Sequence, residues 1–127
     1  NLDEKYRFKD NAFVESKNLK VLKIVKEHGF RTLLWVENIK YWKRKEHKDS
    51  VYLAKMIRNQ IKELNPDAIS CEYSMYPFLC DSFPEQNIHF WDTPKDFTPE
   101  NVEFTKKLCN NKSVKVVLVD YPTPDIF

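Results

Sequence analysis

The sequence predicts an α/β protein built of parallel βα units with about four strands, and three observations predict it. Four short segments rich in aliphatic, aromatic and β-branched residues occur at 31–37, 68–72, 87–92 and 114–120, and each ends on a carboxylate. Stretches with apolar residues at helical steps, or with proline-marked turns, separate them. The apolar run Leu33-Leu34-Trp35 is continuous rather than alternating, as in a strand buried on both faces. At 127 residues the chain fits one domain with a core of its own.

The elements follow in order. Ser16 can cap a helix running to His28, with Leu19, Val21, Leu22, Ile24 and Val25 as its apolar stripe. Gly29 then stands where a left-handed residue ends a helix. The strand 31–37 follows at once. Asp49 or Ser50 can cap a second helix, in which Leu53, Ala54, Ile57, Ile61 and Leu64 recur at three- and four-residue steps. Asn65-Pro66 stops it before the strand 68–72. The stretch 75–84, with two prolines, has room for a turn or two of helix. After the strand 87–92, Thr98-Pro99-Glu100 combines a hydroxyl cap, proline in the first turn and an acid at the positive helix end. Val102, Thr105, Leu108 and Cys109 form the expected inward face of that helix. The strand 114–120 comes next, and Pro122 and Pro124 lead the chain out of the sheet.

Composition narrows the function classes. Gly29 is the only glycine, so a glycine-rich phosphate or dinucleotide loop is ruled out. No apolar run approaches the roughly 20 residues of a membrane span. The net charge is +2, and the basic residues cluster only at 40–48, where Tyr41 and Trp42 interleave with lysines and Arg44. That stretch reads as a solvated loop leading into a helix, and nothing else in the chain points to nucleic acid. Cys71, Cys80 and Cys109 are odd in number and lack a CxxC spacing, so neither a disulfide framework nor structural zinc is expected. Cys71 and Cys109 read as small core residues. Unpaired cysteines favour a reducing, cytoplasmic setting. The chain opens Asn-Leu-Asp-Glu rather than with Met, so a missing or processed amino terminus is expected and a secreted or periplasmic origin stays open.

In parallel α/β folds, ligands and catalytic groups gather at the carboxyl ends of the strands. One sheet edge is therefore expected to carry Glu37, Glu72, Asp92 and Asp120, with Trp35 and Trp91 near them. Carboxylates converging from several elements suit a hard cation such as Ca²⁺ or Mg²⁺. They equally suit helix caps or pairs with Lys and Arg. Trp35 and Trp91 suit either a pocket mouth or interior packing. The histidines read as structural: His28 at a helix end, His47 in the basic stretch, His89 in a strand.

Phe90-Trp91-Asp92-Thr93, a helix, and then Val117-Leu118-Val119-Asp120-Tyr121-Pro122 resemble the end of glycerophosphodiester phosphodiesterases. His28-Gly29-Phe30 before a strand, and Asn65-Pro66-Asp67 before Glu72-Tyr73, are similar to that family as well. The resemblance spans most of 16–124. It implies half of a (β/α)8 TIM barrel, strands five to eight, from an enzyme of lipid metabolism that cleaves a glycerophosphodiester to an alcohol and glycerol 3-phosphate. On that resemblance Trp35, Glu72, Trp91 and Asp120 are expected on the substrate side, and of the strand-end carboxylates Glu37 and Glu72 are the candidate metal ligands. The family's His-Arg-Gly and Glu-x-Asp motifs do not occur in this chain. The divalent cation, Ca²⁺ or Mg²⁺, would be held mostly by an amino-terminal half, and this chain alone would be inactive. The alternative is a non-catalytic α/β binding or assembly domain that pairs through its open sheet edge, as a homodimer.

Overall fold

The strands form one parallel sheet in the order β1-β2-β3-β4-β5. These are β1 (Phe13–Ser16), β2 (Arg31–Trp35), β3 (Ala68–Glu72), β4 (Ile88–Trp91) and β5 (Val114–Val117). The helices are α1 (Leu2–Tyr6), α2 (Phe8–Asn11), α3 (Leu19–Glu27), α4 (Ser50–Leu64), α5 (Phe78–Ser82) and α6 (Pro99–Cys109), with a 3₁₀ turn at Tyr73–Met75. The structure is a computed structural model and describes residues 2–38, 40, 49–91 and 93–119.

Each strand neighbours the next one in the chain. A doubly wound sheet reverses its order at a switch point, whereas a barrel adds strands in sequence. The order seen has no reversal and matches the connectivity of half a (β/α)8 barrel. The expected strands are all present, within two or three residues at their ends, and β1 precedes them as a fifth.

Two compact units divide the chain, 1–69 and 70–127. In the first unit, β1 and β2 pair with Phe13 opposite Arg31 and Ser16 opposite Leu34. Ser16 thus ends a strand instead of capping a helix. Its hydroxyl accepts from the Asn18 amide at 3.0 Å, and Asn18 takes the cap, accepting from Lys20 N at 3.0 Å and Val21 N at 3.3 Å. Of the expected stripe on α3 only Leu22 is buried, while Val21 and Ile24 are exposed. Gly29, at φ +82°, closes α3 as a Schellman motif: Phe30 N donates to Val25 O and Gly29 N to Lys26 O.

Asp49 caps α4 through Tyr52 N at 2.9 Å, and Asn65, left-handed at φ 49°, ends it. Leu53, Ile57 and Leu64 form its buried stripe. Lys26 of α3 donates to the carbonyls of Leu64 and Asn65 at 2.8 and 2.6 Å, placing a cation at the negative end of α4. Asp67 then bonds Thr32 through both backbone and side chain.

In the second unit, Met75, Leu79, Phe83, Ile88, Phe90 and Leu108 are buried almost completely. Tyr76 meets Phe90 and Phe104 edge-on, at 6.2 and 6.0 Å between centroids. Thr98 caps α6 through Asn101 N at 3.2 Å, as its sequence suggests. β4 and β5 stay paired past their ends: Leu118 N donates to Phe90 O, and Thr93 Oγ1 to Leu118 O, each at 2.9 Å.

Cys71 is buried as expected, but Cys109 is exposed. Thr105 and Leu108 share the inward face of α6, and Cys109 follows Leu108 by one residue, a rotation of roughly 100° off that face. Burial, and secondarily the charge of Asp81, push the Cys80 thiol up to about 11. At pH 8 only about one Cys80 in a thousand is then thiolate, the reactive form. Iodoacetamide on the folded chain at pH 8 is expected to label Cys109 first, slowed by the partial burial that raises its thiol too. Peptide mass spectrometry checks this, and label on Cys71 or Cys80 before unfolding would contradict the burial.

Candidate functional site

The strand-end residues fall into the two units. Trp35 ends β2 and Glu37 lies two residues beyond; Glu72 ends β3 and Trp91 ends β4. All four are half-buried. Asp92 and Asp120 lie outside the described residues, as do His47 and the rest of the basic stretch 40–48 after Lys40.

In the first unit the structure joins Trp35 and Glu37 through a residue that sequence reasoning missed. The β1–β2 register, continued one step past Ser16 and Leu34, sets Lys17 beside Trp35. The Lys17 ammonium stands 5.2 Å from the Trp35 ring centroid and 3.6 Å from a carboxylate oxygen of Glu37. A hollow of about 170 Å³ opens there, walled by Met56, Ile57 and Gln60 of α4. Of the roles open to Glu37, pairing with a lysine is one the structure shows. The signal for Lys17 was its place directly after Phe13–Ser16, a segment too short to stand out as a strand.

In the second unit Glu72 and Trp91 hold the positions expected of them. A hollow of about 440 Å³ runs along α6 between Glu100, Phe104, Lys107 and Asn110, and it includes no strand-end residue. His28 donates Nδ1–H to Ile24 O at 2.8 Å, closing its helix end, and His89 is half-buried in β4. Among the described residues no group of three His, Cys, Asp or Glu side chains is placed to hold a metal ion. No helix of the described chain is long and apolar enough to cross a membrane.

Comparison with protein-family models, with curated proteins and with solved structures finds no match to this chain.

Proposed function

We propose that this chain is the carboxy-terminal part of a phosphodiester hydrolase of the glycerophosphodiester type, and that it supplies the wall facing the substrate. The observation that carries this reading is the Lys17–Trp35–Glu37 group at the carboxyl end of a sheet whose strands follow one another without reversal. In this reading the Lys17 ammonium balances a phosphate charge, and Trp35 packs against the glycerol or head group. The resemblance also implies Glu72, Trp91 and Asp120 on the substrate side. A divalent cation would be held mostly by a preceding half, with Glu37 or Glu72 the carboxylate this chain contributes. Such an ion neutralises the phosphate and polarises it for attack.

The test uses the coding region upstream of Asn1. A longer protein carrying a His-Arg-Gly segment and a Glu-x-Asp strand end should release glycerol 3-phosphate from glycerophosphodiesters in Ca²⁺ or Mg²⁺. The 127-residue chain should release none. In the longer protein, Lys17→Met should lower kcat/KM about tenfold, the loss of one charge-assisted contact. Glycerol 3-phosphate released by the short chain, or an inactive longer protein, would sink the reading.

One observation favours the second reading, an assembly domain. Parallel sheets are normally covered on both faces, yet the edge strands β1 and β5 leave Phe13 and Val116 each 36% exposed. If that cover is a second copy, sedimentation of the 127-residue chain gives a dimer and the longer protein shows no hydrolysis.

A further inference from the structure

We propose that the exposed aromatic and basic surface at the amino end of β1 and β2 docks the chain on an anionic lipid surface. The proposal does not rest on the phosphodiesterase reading above. It concerns the opposite end of these two strands from Lys17, Trp35 and Glu37.

Three stretches of chain assemble the surface. Arg7, left-handed at φ 53°, turns the backbone between α1 and α2, and the rings of Tyr6 and Phe8 on either side of it lie 5.6 Å apart. Phe13 opens β1 opposite Arg31, which opens β2, and the Arg31 guanidinium stands 4.4 Å from the Phe13 ring centroid. The Lys9 ammonium stands 5.4 Å from the Phe30 centroid, and that of Lys5 stands 5.0 Å from the Tyr6 centroid. Tyr6, Phe8 and Phe13 are 50%, 43% and 36% exposed, so burying them in an apolar layer is favourable.

The charge of this surface suits an anionic partner. Between residues 4 and 13 the acids are Glu4 and Asp10, and Arg7 pairs with Asp10 at 2.7 Å. Lys5, Lys9 and Arg31 then outweigh Glu4. Arg31 Nε is buried without a hydrogen-bond partner, so no carboxylate of the described residues meets that edge of the guanidinium. Rings set among lysines and arginine fit the head-group zone of a bilayer, where aromatic rings sit at the boundary and long basic side chains reach the phosphates. Single-stranded nucleic acid fits less well. Its bases stack on open ring faces, and a cation already stands over Tyr6, Phe13 and Phe30.

The test floats the 127-residue chain with vesicles of phosphatidylcholine alone, or of phosphatidylcholine and phosphatidylglycerol in equal parts. Binding should be at least about tenfold tighter to the anionic vesicles and should weaken in high salt. Phe8→Ser should weaken it about tenfold, through the lost apolar area. Lys5→Met and Lys9→Met should each weaken it about fivefold. Lys20→Met removes the same charge from the first turn of α3, beyond the carboxyl end of β1, and should change binding less than about twofold. These side chains are exposed, and circular dichroism of each variant shows that the fold is kept.

No flotation with the anionic vesicles, or equal flotation with both kinds, would overturn the proposal. Equal losses in Lys20→Met and Lys5→Met would overturn it too, since net charge and not this surface would then carry the binding. A single-stranded oligonucleotide that binds the chain more tightly than the vesicles do, and loses its grip in Phe8→Ser, would assign the surface to nucleic acid instead. Hydrolysis by the longer protein is a separate outcome: glycerol 3-phosphate release neither requires nor excludes flotation.

Discussion

Phe90→Ala is expected to lower the stability of the fold by about 3–5 kcal/mol, the range for emptying an aromatic site in a closed core. Phe90 is 0% exposed and sits in the middle of β4, between the half-buried His89 and Trp91. Its ring meets Tyr76 edge-on at 6.2 Å, a geometry worth about 0.5–1.5 kcal/mol beyond the area buried. Tyr76 also faces Phe104 of α6, so truncating Phe90 removes one wall of a connected aromatic cluster. Domains of this size are stable by only about 5–15 kcal/mol, so the variant should lose a large share of the total. Tyr76→Phe keeps the ring and should cost less than about 1 kcal/mol. Urea unfolding followed by circular dichroism checks both. A loss below about 1 kcal/mol for Phe90→Ala would mean that the ring does not close a core.

Most of the scaffold was legible because its punctuation is local. Asp49, Thr98, Gly29 and Asn65 act within a few residues of themselves, through side-chain oxygens that cap amides or through backbone that turns left-handed, and the structure places each as its chemistry requires. The strands beginning at Arg31, Ala68, Ile88 and Val114 announce themselves by runs of buried-strand residues. Phe13–Ser16 does not. It has four residues, includes Glu15, and ends on a serine that imitates a helix cap; its pairing with β2 decides the matter, and no local pattern reveals a partner 18 residues away. That one miss also hid Lys17, whose role comes from the register.

Other differences come from tertiary placement. Val21 and Ile24 have the right period for a buried stripe, yet α3 buries only Leu22, because how much of a helix face is covered depends on its neighbours. Glu37 stands at a strand end, where residue type alone leaves its partner open, and the structure sets Lys17 beside it. Residue type limits what a strand end can do; neighbouring strands select among those roles.

Asp67→Ala is expected to cost about 2–3 kcal/mol, against about 1 kcal/mol for Asp67→Asn, and the difference isolates a stranded amide. Thr32 is 0% exposed at the second position of β2, and its amide donates to Asp67 Oδ2 at 2.7 Å. The Thr32 hydroxyl lies 3.3 Å from the same oxygen, and Asp67 N returns a bond to Thr32 O at 3.1 Å. Alanine keeps that backbone bond but deletes the acceptor for two buried donors. An unpaired buried donor costs about 1–3 kcal/mol, and a bond to a charged acceptor is worth about 1.5–3 kcal/mol. Water entering through the exposed Asp67 position can satisfy part of the loss, which keeps the estimate below the sum of both donors. Asparagine retains an oxygen at the same reach and forfeits only the charge. Urea unfolding gives the two costs, and hydrogen exchange at the Thr32 amide gives the cause: protection should fall sharply in Asp67→Ala and persist in Asp67→Asn. Equal costs for the two variants would show that the charge, and not the stranded amide, sets the contribution of this tie.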